Sequence, residues 1–232
     1  MKKSNFAYST FASLMLAFFL FTACEVEDSA DVNQERIYTD YELFYNSNTD
    51  KTWVVARFRF GGPTGTLLEL NDPASVSFNG EVIPFNAVFA GHFKEFAGQL
   101  DGGTFVYTNT EGERFENSIP AYTTVEFPAD LDTIAKSAAY SLKWDGDALA
   151  ADQRVGLFIG SWTWGQDALF VQNNEQATEL VLGINQLSNL PVGPSNFFMD
   201  RSTELEVTEG TGEGGKIRGK YRAKNKMVVI EE

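Results

Sequence analysis

Two sets of side chains in this sequence are spaced so that they could bind a ligand. Trp162 and Trp164, in Ser161-Trp162-Thr163-Trp164-Gly165, are two positions apart, so on a strand both indoles face the same side. Exposed, they would form a stacking platform for sugar rings; buried, they would be core, where large aromatics usually go. Gly160 and Gly165 flank the pair, and glycine permits close approach of a ligand or of backbone. Near the C-terminus, Lys216, Arg218, Lys220, Arg222, Lys224 and Lys226 take every second position. An extended chain puts all six on one face and Ile217, Tyr221, Ala223 and Met227 on the other. That is the pattern of an edge strand shielded from self-pairing by lysines. It also fits a cationic stripe that meets lipopolysaccharide, capsule or another acidic partner. A turn at Lys224-Asn225 would interrupt the stripe.

Catalytic chemistry has weaker support. His92, the single histidine, would have to be the base of any Ser-His-Asp set, and no G-x-S-x-G nucleophile elbow accompanies it. In Ala90-Gly91-His92-Phe93 it reads as an ordinary loop histidine. Glycoside hydrolysis needs two carboxyls held roughly 5–10 Å apart across a cleft, a geometry that no residue count supplies. Asp145-Gly146-Asp147 followed by Asp152 begins like a calcium loop, but Leu149 stands where a further acidic ligand belongs. A type I′ hairpin turn explains Asp145-Gly146 without metal. The sequence therefore reads as non-enzymatic, with no metal and no cofactor expected.

The elements that would position these residues are strands. Val54, Ala56, Phe58 and Phe60 alternate with Arg57 and Arg59, and Ala74, Val76 and Phe78 alternate with Ser75, Ser77 and Asn79, the period-2 pattern of half-buried strands. Asn79-Gly80 supplies a hairpin turn. Strands are expected at 104–108 and 114–119, joined through Asn109-Thr110-Glu111-Gly112. Beyond that, Ala138, Tyr140, Leu142 and Trp144 share a face, as do Leu180, Leu182 and Ile184, and then Leu205 and Val207. The segments 74–82 and 139–149 look like counterparts. Glu209–Gly215 reads as a mobile, glycine-rich hairpin tip, not a phosphate loop, since no Lys-Ser/Thr pair or helix follows. No segment keeps a 3.6-residue period over three turns. With 232 residues, short strands at regular intervals predict an all-β protein of two tandem immunoglobulin-like sandwiches, with the boundary near Pro128.

The lone cysteine excludes intramolecular disulfides and multi-thiolate zinc. Its context is more informative. Lys2 and Lys3 precede an apolar run from Phe11 to Phe21, far short of the about 20 residues that span a bilayer and suited to a signal-peptide core. Phe21-Thr22-Ala23-Cys24 resembles a bacterial lipobox, with Phe21 departing from the usual leucine. The resemblance implies cleavage before Cys24 and acylation of that residue, a multi-chain anchor that stays on the membrane. The acidic run Glu25-Val26-Glu27-Asp28 resembles the export tether of Bacteroidota surface lipoproteins. Removing Lys2 and Lys3 from the 18 basic residues leaves 16 against 32 acidic ones, a net −16. That excess disfavours nucleic acid as a partner.

The expected organisation is a signal peptide (1–23), an acylated cysteine with acidic tether (24–33), and sandwiches at 34–127 and 128–232. The chain is similar to uncharacterised Bacteroidota surface lipoproteins with tandem immunoglobulin-like domains. That resemblance implies an outer-membrane location at the cell surface, anchored through Cys24, with a glycan or protein partner. A carbohydrate-binding accessory using Trp162 and Trp164 is the second reading, and a glycan hydrolase the third. If the basic stripe is a contact surface, charge reversal of Arg218, Lys220 and Arg222 should weaken binding to anionic glycan; unchanged binding at low salt would discount it.

Overall fold

A computed structural model describes residues 26–160 and 165–232. Cys24, Trp162 and Trp164 lie outside these residues. The first half forms β1 (Val26–Asp28), β2 (Ile37–Asn46), β3 (Lys51–Phe60), β4 (Thr66–Glu69), β5 (Ser75–Phe78), β6 (Glu81–Val82), β7 (Phe85–Asn86), β8 (Gly91–Ala97), β9 (Gly103–Thr108) and β10 (Arg114–Ile119). The second half forms β11 (Thr133–Ala135), β12 (Tyr140–Lys143), β13 (Gln153–Ile159), β14 (Ala168–Gln172), β15 (Glu179–Leu182), β16 (Gly193–Glu206), β17 (Gly215–Arg222) and β18 (Lys226–Glu231). Among the described residues the one α-helix, α1 (Ile184–Leu187), is four residues long and lies between β15 and β16. The protein is all-β.

Strong alternation translated directly into strands. Val54, Ala56 and Phe58 are fully buried, and Ala74, Val76 and Phe78 nearly so. Asn79 and Gly80 both take positive φ, 49° and 84°, and join β5 to β6 as an antiparallel hairpin. Three expectations need correction. Asp145-Gly146 does not turn a hairpin: the Asp145 backbone exchanges hydrogen bonds with Glu126, and β12 pairs with the distant β15. Segments 74–82 and 139–149 therefore differ in pairing. Ile184 leaves the strand and opens α1, 45% exposed. His92 is a buried residue of β8, not a loop residue. Its Nδ1 donates to the Ile83 carbonyl at 2.9 Å, and its Nε2 accepts from the Leu70 amide at 3.3 Å. Burial lowers its pKa against the opposing pull of the Ile83 bond, so both ring nitrogens serve a neutral imidazole in the core.

The strands assemble around one large sheet, ordered β1-β4-β3-β2-β17-β16-β13-β14, with β8 also on β3 and β18 also on β16. Two smaller sheets, β10-β9-β5-β6 and β12-β15, supply opposing apolar faces. The first core joins Tyr41, Val54 and Phe58 of the large sheet to Val76, Phe78 and Phe105. The second joins Leu157, Phe197 and Met199 to Leu142, Leu180 and Leu182. The segment around Pro128 connects β10 to β11, while the sheet itself runs across both halves. Its seam is the parallel pairing of β2 with β17, from Thr39 opposite Gly215 to Asn46 opposite Arg222. Gly215 is required there, because a Cβ would sit 2.1 Å from the Thr39 hydroxyl. In consequence Ile217 joins the first core, and Tyr45 and Tyr221 the second.

Two segments expected to be loose are tied down. Of the acidic tether, residues 26–33 are part of the fold. β1 pairs parallel with β4, Asn71 Nδ2 donates to Asp28, and buried Gln34 donates to the Ser29 and Val32 carbonyls. The glycine-rich β16–β17 connection is held by Thr211 on the Ile37 carbonyl, by Arg36 on Glu213, and by Glu209 accepting from the Glu116 amide.

Arg201 on β16 is only 2% exposed. Its Nη1 donates to the carbonyls of Asp147 (2.7 Å) and Thr124 (3.4 Å), and its Nη2 to Ala148 (2.9 Å) and Gln153 Oε1 (2.5 Å). One guanidinium thus ties the irregular segments 120–125 and 145–149 to the large sheet. Arg201→Met should take this donor from the Thr124 and Ala148 carbonyls, while Asp147 keeps Trp144 Nε1, and cost about 2–3 kcal/mol. Urea unfolding reads this directly, and an unchanged midpoint would refute the role.

Candidate functional site

The face of the large sheet opposite the two cores carries the basic comb. β17 is not an edge strand: it lies between β2 and β16, and each of its outward cations meets carboxylates on the neighbouring strands. Lys216 Nζ is 2.6 Å from Glu204. Arg218 reaches Glu42 at 2.8 Å and Glu204 at 2.9 Å. Lys220 and Arg222 share Asp200, at 2.7 and 2.6 Å. The stripe ends there. Lys224 sits exposed in the β17–β18 connection, and Lys226 donates to the carbonyls of Pro128 and Ala129. Met227 is 57% exposed, not inward, because the chain turns after Ala223 and shifts the alternation. The comb is therefore an internal ion-pair ladder, not an unpaired cationic stripe.

Burial makes its members unequal. Desolvation raises the Asp200 pKa, but the Arg222 hydrogen bond and the Lys220 charge outweigh it and hold the carboxyl below its usual range. Glu204 is held down first by its hydrogen bond from Lys216. Asp40 behaves oppositely. Its Oδ1 lies 4.0 Å from Arg218 without a hydrogen bond, and burial pushes its pKa up despite Arg218 and Arg57.

Aromatic rings flank the ladder on both sides. Lys220 and Arg222 lie over the Phe44 ring, at 4.9 and 5.3 Å from its centroid, a cation–π arrangement. Phe44 meets Trp53 edge-on at 5.5 Å, and Trp53 in turn meets Phe89 and Phe93, which stack 3.6 Å apart. Trp53 Nε1 donates to Glu95, which also accepts from Lys51. On the far side Phe158 and Phe198 pair at 5.9 Å beside exposed Leu169 and Val171. Trp53, Phe89, Phe93 and Arg154 were not singled out from sequence. Trp53 was within reach, since it shares the outward parity of Arg57 and Arg59.

Among the described residues no group of three or more His, Cys, Asp or Glu side chains is arranged to hold a metal ion. The Asp147 backbone carbonyl accepts from Trp144 Nε1 and Arg201.

Neither a known protein family nor a curated protein matches the chain. Among solved structures it is similar to one from work on host cell surface retention of a 1.5-MDa bacterial ice-binding adhesin, at 10% identity and a TM-score of 0.24. The match covers 86% of this chain, which spans 66% of that one. A similarity this low assigns neither fold nor function.

The ladder makes a signed prediction. A carboxyl with a lowered folded pKa stabilises the fold above its unfolded pKa and loses that contribution as the pH falls; a raised one does the reverse. Asp200→Asn should cost about 1–3 kcal/mol at neutral pH and less at about pH 3, because the contribution is lost as the pH falls through the lowered folded pKa. Asp40→Asn should be neutral or stabilising at neutral pH. Urea midpoints at the two pH values check both signs, and equal losses for the two variants would contradict the assignment.

Proposed function

We propose that this protein is a lipid-anchored lipoprotein of the outer membrane, displayed at the cell surface, with a non-enzymatic binding role. Its two cores, each closed by a small sheet over part of the large one, support reading it as two immunoglobulin-like sandwiches fused along a shared sheet. The observation that carries the binding role is the outer sheet face: a broad, ordered surface of paired charges between two aromatic borders. Such a surface offers rigid polar groups and ring faces together, the combination that fixes ligand orientation.

The anchor reading gains a geometric consequence. β1 begins at Val26, two residues after Cys24, and runs parallel to β4, hence parallel to β2. Acylation at Cys24 would therefore hold the folded body close to the bilayer by the end bearing the β3–β4 and β16–β17 connections. The β2–β3 and β17–β18 connections would point away. The second reading, a carbohydrate-binding accessory that uses Trp162 and Trp164, draws support from the Phe158–Phe198 pair, which adds rings to the outer face at the end of β13.

In the native host, Cys24→Ala should abolish incorporation of a palmitate analogue and move the protein out of the membrane fraction. Retention of both label and membrane association would overturn the anchor. Protease treatment of intact cells should degrade the wild-type protein, and full protection would place it on the periplasmic side.

A further inference from the structure

Gly156 interrupts the outer face at the middle of β13. It is opposite Asp200 on β16 and Val171 on β14, so its missing side chain leaves a notch between a carboxylate and an exposed aliphatic wall. Two common reasons for a strand glycine do not apply. Its φ is not in the left-handed region, and an added Cβ would meet nothing nearer than the Phe170 carbonyl at 4.0 Å. A glycine inside a strand weakens it, and where neither backbone nor packing demands one, close approach of a ligand is the remaining reason.

The notch opens a groove of about 240 Å³ lined by Glu42, Arg154, Val171, Asp200, Arg218 and Lys220. Its charges are not equally engaged. Arg218 and Lys220 are locked on carboxylates at 2.7–2.9 Å. Arg154 is 51% exposed; its Nε donates to Ser202, and its contact with Glu204 is a long 3.8 Å. Most of its guanidinium fork therefore faces the groove, in the geometry that takes a carboxylate or a similar oxyanion through two parallel hydrogen bonds. The surrounding ladder holds five cations (Arg154, Lys216, Arg218, Lys220, Arg222) against four carboxylates (Asp40, Glu42, Asp200, Glu204). On a chain of net charge −14, this is a place where an anion meets no net repulsion. Glu42 and Asp200 keep lone pairs beyond those their cations use, and these suit hydroxyl donors.

We propose that the Gly156 groove binds an acidic saccharide, with Arg154 taking the sugar carboxylate, Glu42 and Asp200 accepting its hydroxyls, and Val171 against its apolar ring face. This rests on the non-enzymatic binding role and names its ligand class. An acidic peptide would also satisfy Arg154, but it brings few hydroxyl donors for the two carboxylates.

The test is calorimetric titration of detergent-solubilised full-length protein at low salt with oligogalacturonate, neutral galacto-oligosaccharide and oligoglutamate. The wild type should bind oligogalacturonate at least tenfold more tightly than either comparison ligand. Gly156→Val should abolish that binding while the thermal midpoint stays the same or rises, because valine favours the strand and fills only the notch. Arg154→Gln should weaken it at least tenfold. Wild-type affinity in Gly156→Val, equal binding of the neutral oligosaccharide, tighter binding of oligoglutamate, or no binding of oligogalacturonate would each overturn the proposal. Release of new reducing ends during incubation would instead refute the non-enzymatic role while leaving the groove assignment standing.

Discussion

The parallel pairing of β2 with β17 is the constraint on which the rest of the molecule depends. It brings a strand from the end of the chain against one from its beginning, so the large sheet closes only when nearly the whole polypeptide is in place. Such long-range pairing carries a large loop-closure cost, repaid by burying Ile217 and Tyr221 in two different cores. Gly215 starts the pairing because Thr39 leaves no room for a Cβ. Had β17 lain at an edge, its cations would have faced water; at the centre each meets a carboxylate on a neighbouring strand, and Arg218 meets one on both sides.

That central position changes the meaning of the C-terminal charges. Cations at alternate positions of an isolated strand repel one another and attract an external anion. Between β2 and β16 they meet Asp40, Glu42, Asp200 and Glu204, and most of their charge is spent internally. What the ladder presents to solvent is a nearly balanced lattice, rigid because each cation is fixed by neighbours. The place that departs from balance is Arg154, on the strand that also carries the unforced glycine. Recognition on this face therefore depends on where pairing is incomplete more than on total charge.

The N-terminus bears on display. A long disordered tether would let the folded body swing at a distance from the membrane. Here the acidic residues after Glu25 are ordered by β4, Asn71 and Gln34. A lipid at Cys24 would then restrain orientation as well as location, and connections at opposite ends of the sheet would meet different surroundings.

Much of the local structure was legible in the residues themselves. Period-2 alternation in 52–60 and 74–78, the Asn79-Gly80 turn and the strands at 104–108 and 114–119 depend on neighbours within a few positions, and each formed as read. The readings that failed depended on remote partners: His92 became core because β7 and β4 close over it, and Asp145 met Glu126 in place of forming a hairpin. The site divided in the same way. Sequence set the alternation that puts Lys216 to Arg222 on one face, since side-chain direction in a strand is a local property. Only the tertiary structure decided that this face is paired, flanked by Trp53 and Phe198, and open at Gly156, because strand order is settled by which apolar faces find a common core.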